Sequence, residues 1–517
     1  VEVILVLLSQ VLAKTALAGV QLTQDPDITG VSDHSGKVQP GNIFVAVTGY
    51  KLDGHDFVEK AIERGAVAVV AERELELPVP VIVVPDSRIA LAELSNAWFD
   101  FPARSFKMIG VTASNGKTTT SFMIDHILSS HFARTGLVGT VVVKDGEQVV
   151  SADLTTPNSL ELYQWLAAMR QNKCSHVIME VSSAGQELHR VHGIDYDIAT
   201  FNNVSREHID FHGSFESYWR TKSRLIRNLG PHAIAVLNGD QELIAGLREQ
   251  TAADAILYTL TGNPAQIVIR EVDLSTGAAS FRYTIPQDIA GNNYSLPACD
   301  LEIGLKVLGL HNVYNATVAI TVAKLCGVPD EKIVSALADF GGVERRFQLI
   351  YDGDFKIIDD HFANAGNIDI TLRTLGLMKY NKLHLVIAIR GNRGSIVNGE
   401  NADAVVQWLP QLPVDQLILT DSVEYVDEHD RVSDEERSTF LGILDAAGLE
   451  YTHLPQLTDA IELALKGVAP DDVIMLAGCQ GMDHGAHVII PMVARRHPRH
   501  EQEKILKILK DRVAGSS

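Results

Sequence analysis

The chain has 517 residues, 46% hydrophobic and 21% charged, a soluble globular composition that excludes long disorder; at roughly 150 residues per domain it holds about three domains. Lys and Arg number 44 against 65 Asp and Glu, a net charge of −21. That argues against a nucleic-acid or anionic-membrane binder, both of which need a basic face. Any phosphate must then be met locally, by a few Lys or Arg and backbone N–H groups. Cys174, Cys299, Cys326 and Cys479 form no CxxC pair, which argues against a zinc knot or disulfide framework and fits a reducing cytoplasm. No run approaches about 20 uninterrupted apolar residues, so no membrane insertion is expected.

In chain order, Val3 to Leu8 imitates the apolar part of a signal peptide, but Glu2 stands where a basic leader would be. The run is read as a first amphipathic helix, on a start that lacks Met and reads as trimmed or incomplete. Residues 1–103 form a small α/β unit, with strands at Ile43–Val47, Ala66–Ala71 and Val79–Val84 and a helix at Phe57–Gly65. Residues 104–341 open on the strand Met108–Val111. Helical runs then alternate with β-rich ones at Val177–Val181, Ile198–Phe201 and Ala233–Leu237, which predicts a mainly parallel sheet with helices on both faces. The alternating pattern of 260–303 predicts an antiparallel insertion. Residues 342–517 begin a third, doubly wound α/β pattern, with strands at Lys356–Ile358, Leu383–Ile389, Gln416–Leu419 and Val473–Ala477 and a closing helix at Glu501–Val513.

The sharpest local signal runs from Gly110 through Ala113, Ser114, Asn115, Gly116, Lys117, Thr118 and Thr119 to Thr120. It follows a strand and precedes a helical run, Ser121–Ser129. Glycine lets backbone N–H groups approach phosphate oxygens, the helix N-terminus adds its positive dipole end, Lys117 can reach terminal phosphates and a Thr hydroxyl can ligate Mg²⁺. The Gly110–Gly116 spacing is one residue longer than the usual phosphate loop, and Ala113 stands where glycine is expected. Glu180, at the end of a β-rich run, falls on the carboxyl edge of the same sheet and is a candidate Mg²⁺ ligand, although a helix-capping acid would look the same. His208 and His212 lie four apart in the polar cluster Asn202–His212, which makes His208 a second candidate ligand. Lys222, on composition alone, is an ordinary helix-surface lysine.

Together these segments resemble the Mur ligase family, ATP-dependent enzymes that add amino acids to a cell-wall precursor, and most of all the members that add the third residue to UDP-N-acetylmuramoyl-dipeptide. The resemblance spans nearly the whole chain. It implies three α/β domains: a UDP-sugar-binding domain (1–103), a central P-loop ATPase domain (104–341) and a C-terminal acceptor domain (342–517). It implies that Lys117, Lys222 and His208 are catalytic, and that Asn115, Gly116, Lys117, Thr118 and Thr119 bind ATP. Asn312, in Leu310–Asn315, matches the adenine contact, and Arg346, in Gly342–Gln348, a phosphate contact. Thr118, Glu180, His208 and Lys222 would hold Mg²⁺, with Lys222 as a carbamate formed from CO₂. Ser35, Thr155, Thr156, Ser182 and Arg190 would touch the UDP-sugar peptide. An amino acid or other amine is the second substrate, and a cytoplasmic monomer is expected.

Departures from the family pattern are confined to the substrate ends. Gly36 replaces an arginine, Ala184 a histidine, and Leu188 falls where a polar contact is common. Asp359-Asp360-His361-Phe362-Ala363-Asn364 and Gly478-Cys479-Gln480-Gly481-Met482-Asp483 rewrite two acceptor-domain motifs. The Asp-Asn-Pro-Arg motif of diaminopimelate-adding members gives way to Asp421, Ser422, Val423 and Glu424, with no arginine until Arg431. An acidic pocket there would disfavour diaminopimelate; Arg390, Arg393 or Arg431 folding back, or a solvated loop touching nothing, are the alternatives. A ligase joining another acid and amine, and an ATP-responsive binding protein without ligase activity, remain open.

Overall fold

The computed structural model describes residues 5–49, 52–205, 209–274, 278–510, 512 and 514–515. They fall into two compact units, Val1–Ile267 with Gln287–Pro297 and Val318–Pro329, and Val268–Pro286 with Ala298–Thr317 and Asp330–Ser517.

The first unit contains two parallel sheets. Strands β1 (Gly30–Ser32), β2 (Asn42–Val45), β3 (Ala68–Ala71) and β4 (Val81–Val83) pair in chain order, all parallel. Helix α1 (Ser87–Trp98), capped by the Asp86 side chain, closes the core of this sheet through Ala90, Leu91, Leu94 and Ala97. The N-terminal helix does not lie where the apolar run placed it: Val6–Leu7 pairs as a strand with Asp27–Ile28, and the helix begins at Leu8, the last residue of the run, and ends at Leu12. A single helical turn buries Leu8, Val11 and Leu12, while the preceding residues satisfy their backbone groups by pairing.

The second sheet of this unit carries β5 (Lys107–Thr112), β6 (Thr135–Val138), β7 (His176–Glu180), β8 (Ile198–Phe201), β9 (Ile234–Asn238) and β10 (Asp254–Thr259), in the spatial order 6-7-5-8-9-10 and all parallel. Apart from Lys107, Asp254 and Ala255 at two strand starts, the strands are buried on both faces, which is why they read as continuous apolar runs rather than alternating ones. Chain order reverses beside β5, so the crevice at the carboxyl ends of β5, β7 and β8 is the natural ligand position of such a sheet. Three helices deliver side chains there: α2 (Lys117–Ser129), α4 (Ser183–Glu187) and α5 (Phe215–Arg227). Helix α3 (Ser159–Gln171) packs on the sheet from Leu162, Tyr163, Leu166 and Met169.

In the second unit, Ile267–Asp273, Ala278–Ile285 and Cys299–Leu308 form the antiparallel ribbon expected in the insertion. The last sheet comprises β11 (Gln348–Asp352), β12 (Lys356–Asp360), β13 (Leu383–Ala388), β14 (Val414–Thr420), β15 (Thr452–Leu454) and β16 (Val473–Ala477), in the order 11-12-16-13-14-15, parallel except for β11. Its strands feed two cores by strict alternation: Val473, Met475 and Ala477 face one, Ile474 and Leu476 the other. The closing helix runs Arg499–Leu506 and tightens into a 3₁₀ turn, Lys507–Leu509, short of the Val513 expected from sequence. No helix among the described residues is long and apolar enough to cross a membrane.

Candidate active site

Strand β5 ends at Thr112, whose hydroxyl donates to the Val181 carbonyl (2.8 Å) and ties it to the end of β7. The loop 113–116 then turns into α2 through Gly116, which has φ +87°, a left-handed conformation that glycine adopts without the cost a Cβ would impose. Gly110 has a different role. It lies inside β5, where a Cβ would stand 2.9 Å from the Tyr196 ring. It is a packing glycine and not part of the phosphate cradle, which accounts for the irregular spacing.

The loop is braced from β8. Ser114 N donates to Asn203 O (2.8 Å), Asn115 N donates to Asn203 Oδ1 (2.9 Å), and Asn203 Nδ2 donates to Asn115 O (2.7 Å). Two lysines converge on this loop. Lys117 Nζ donates to Ala113 O and Ser114 O at 2.9 Å each. Lys222 Nζ, on a side chain buried to 1% exposure, donates to the same Ala113 O at 2.7 Å and lies 5.1 Å from the Tyr218 ring centre. The two lysines thus meet at one loop carbonyl beside the N-terminus of α2, whose positive dipole end favours an anion. The helix-surface reading of Lys222 therefore fails: α5 turns that face inward.

Glu180 is wholly buried at the end of β7. Thr118 Oγ1 (3.1 Å) and Thr140 Oγ1 (3.0 Å) donate to its Oε2, and Thr140 N donates to Oε1 (3.0 Å). Gly139 makes room for this: a Cβ there would stand 2.4 Å from Glu180 Oε1. Among the described residues no three His, Cys, Asp or Glu side chains converge as a metal cage. One carboxylate with threonine hydroxyls suits Mg²⁺, a hard cation that keeps waters and phosphate oxygens as its other ligands. His208 lies outside the described residues.

The expected acid-substrate contacts adjoin this group. Thr156 Oγ1 donates to Glu180 O (2.9 Å) and lies 3.0 Å from Ser182 Oγ, which caps α4 by accepting from Gly185 N (2.9 Å). Thr155 Oγ1 lies 3.1 Å from Thr140 Oγ1, and Arg190 Nη1 donates to Thr156 O (2.8 Å). Burial and the like charge of Arg88 push Arg190 below the usual arginine range. Arg88, whose Nη2 donates to Thr48 O (2.7 Å), is a nearby charge the sequence did not single out. Ser35 is buried on a 3₁₀ turn, Ser35–Lys37, where His34 Nδ1 accepts from Gly36 N (3.0 Å). A Cβ on Gly36 would press the His34 ring at 3.0 Å, so an arginine there would displace it.

In the second unit Asn312 is buried, donating to Leu308 O (2.8 Å) and accepting from Asn315 Nδ2 (3.0 Å). Arg346 is half-buried; its guanidinium makes no hydrogen bond or ion pair among the described residues, and its charge acts on the buried Asp360. His361, hemmed by Arg345, Arg346 and Arg390, is held well below the ordinary histidine range, first by burial. The acidic pocket expected near residue 421 does not form. Asp421 is paired with Arg437 (2.8 Å) and His453 (3.2 Å), and Glu424 accepts from Thr458 N (2.8 Å) at the start of the helix Leu457–Gly467. Both acids are spent on holding the fold, so the repulsion argument against diaminopimelate loses its basis.

Three family models match: the Mur ligase family catalytic domain over residues 27–99, the Mur ligase middle domain over 111–323 and the Mur ligase glutamate ligase domain over 345–480. UDP-N-acetylmuramoyl-L-alanyl-D-glutamate–2,6-diaminopimelate ligase of Bacillus velezensis is 33% identical over 461 residues, 88% of this chain and 89% of the relative. The enzyme of the same name from Listeria monocytogenes is 30% identical over 87% of this chain and 89% of its own length. A solved structure bearing that enzyme name superposes with TM-score 0.64 at 26% identity, covering 92% of this chain and 93% of that one. MurF ligase from Thermotoga maritima in complex with ADP shares the fold, with TM-score 0.60 at 19% identity over 90% of this chain and 98% of its own. With the loop, the buried glutamate and the converging lysines in place, the chain belongs to the Mur ligase family.

Proposed function

We propose that this ligase joins an amino acid to UDP-N-acetylmuramoyl-dipeptide, at the expense of ATP, in peptidoglycan precursor synthesis. The observation that carries the reading is the convergence of Lys117 and Lys222 on the Ala113 carbonyl next to Thr118 and Glu180. The substrate carboxylate attacks the γ-phosphorus and expels ADP; the amine then attacks the acyl carbon and expels phosphate. Phosphoryl transfer of this kind needs positioning and charge compensation above all. Lys117 supplies a cation at the transferring group, Gly116 and the first turn of α2 supply N–H donors, and the buried Thr156 with the half-buried Ser182 and Arg190 orients the acid.

Glu180, Thr118 and Thr140 would hold Mg²⁺, which when bound offsets charge on the phosphate oxygens. Lys222, as the carbamate expected from the family resemblance, would add an anionic oxygen ligand. Asn312 and Arg346 would meet the adenine and a phosphate. The acceptor is an amino acid; the relatives' names make diaminopimelate the first candidate, and Asp421 and Glu424, both engaged elsewhere, do not oppose it. The test is mass-spectrometric identification of products after incubation with ATP, UDP-N-acetylmuramoyl-dipeptide and equal amounts of diaminopimelate, lysine and small neutral amino acids. A single UDP-linked tripeptide is expected. ADP formation with no adduct to this acid would move the chain to another acid substrate, a reading Gly36 and Ala184 favour.

A further inference from the structure

The linker 342–348 enters β11 in an unusual conformation. Arg345 (φ +56°) and Phe347 (φ +51°) are both left-handed non-glycine residues, on either side of Arg346. Each such residue costs energy that the surroundings must over-determine, and such residues gather at functional sites. Here the surroundings are charged. Asp359, wholly buried on β12, is paired with Arg345 Nε (3.5 Å) and with Arg512 Nη2. Arg345 also reaches Asp483 and donates to Cys479 O (3.0 Å), while its own carbonyl accepts from His361 N (2.8 Å). Phe347 N donates to Asp360 Oδ2 (2.7 Å).

Arg512 closes this net from a distant part of the chain. It is 7% exposed. Its Nη1 donates to Gln348 Oε1 (2.9 Å), the same oxygen that accepts from Arg345 N (3.3 Å), and its Nε lies 3.3 Å from Glu344 Oε1. One guanidinium therefore grips residues 344 and 348, the two ends of the strained turn, and the buried carboxylate beneath it. Between those two ends lies Arg346, whose guanidinium makes no hydrogen bond or ion pair among the described residues, although its charge is felt by the buried Asp360.

We propose that Arg512 is a positioning residue for ATP: it holds the 344–348 turn in its strained form so that Arg346 presents its guanidinium to a phosphate. This rests on the reading that Arg346 meets ATP. A merely structural arginine would lower stability and affect all substrates alike. A positioning role acts through Arg346 alone, so the two residues must be non-additive.

The test compares Arg512→Gln, Arg512→Lys, Arg346→Ala and the double variant Arg346→Ala/Arg512→Gln. It measures KM for ATP, KM for the UDP-sugar dipeptide, thermal midpoint, and ADP affinity by calorimetry without turnover. Arg346→Ala should raise KM for ATP and weaken ADP by about tenfold or more, the worth of one charge-assisted hydrogen bond. Arg512→Gln should do the same to a lesser degree with the dipeptide KM unchanged, Arg512→Lys should fall between it and wild type, and the double variant should match Arg346→Ala alone. If Arg512→Gln does not fold, Arg512→Lys against Arg346→Ala decides. Wild-type ATP parameters in the Arg512 variants, with Arg346→Ala impaired, overturn the brace alone. Effects that multiply in the double variant overturn it too. Wild-type parameters in Arg346→Ala overturn both the brace and the ATP reading beneath it.

Discussion

The carboxyl edges of two parallel sheets solve the same problem by opposite means. At the edge of β5 and β7, the one left-handed residue of the phosphate loop is a glycine, Gly116, and the loop is held by backbone and amide hydrogen bonds to Asn203. At the edge of β12, β13, β14 and β16, left-handed conformations fall on the non-glycine residues Arg345, Phe347, Phe362, Asn392 and Ser422; ion pairs hold Arg345, and hydrogen bonds to Asp360, His429 and Thr420 hold the others. At the first edge a glycine at the turn leaves the backbone N–H groups uncovered by a Cβ, as a phosphate loop requires. The second must shape a pocket, and side chains in strained positions carry that shape.

The largest effect should come from the first edge. Lys117→Ala is expected to cut ATP turnover about 100- to 1,000-fold with an unchanged thermal midpoint, because the side chain lies over the loop and its loss opens no cavity. Loss of fold together with activity would make Lys117 a structural residue. Lys222→Ala should follow, with turnover reduced about 100-fold and partly restored by small carboxylates. In the native protein, labelled bicarbonate should give a carbamate carbon signal; full activity with an unmodified lysine would end that reading.

Acid should sharpen the contrast next. Burial, reinforced by Lys107, lowers His176 at the start of β7 from 6.5 to about 4. The unfolded chain therefore binds this proton first, and folding stability is lost as pH falls from about 6.5 toward 4. His176→Phe should flatten the thermal midpoint across that window, and an unchanged slope would assign the loss to other groups. The smallest effect belongs to the second edge. Asn392, exposed with φ +56°, should gain a few tenths of a kcal/mol on Asn392→Gly, because glycine adopts that conformation freely. By the same reasoning Gly116→Ala should lose about 1 kcal/mol. Equal responses would erase the distinction between the two edges.

Legibility in the sequence follows the same division. Strands buried on both faces announce themselves, and Ile198–Phe201 and Val473–Ala477 have the bounds their composition predicts. The Gly116-Lys117-Thr118 segment is local chemistry in contiguous residues, so it reads directly. Thr140 was missed because it reaches Glu180 across 40 positions; a Gly-Thr pair ending an apolar strand was the available signal. Asp421 looked like pocket chemistry because its partners, Arg437 and His453, arrive from a following helix and the neighbouring strand. Arg512 carries no local signal at all. Charge pairs between distant segments are set by the tertiary fold, and spacing along the chain does not encode them.

The claim beneath all of this is that the chain activates a carboxylate as an acyl phosphate before an amine attacks. Labelling the dipeptide's terminal carboxylate with ¹⁸O tests it most directly. The attacking oxygen becomes the bridge of the acyl phosphate and leaves with phosphate when the amine displaces it. Phosphate carrying one ¹⁸O per amide formed is the expected result. Unlabelled phosphate, released at the same rate with or without the amine, would contradict the account.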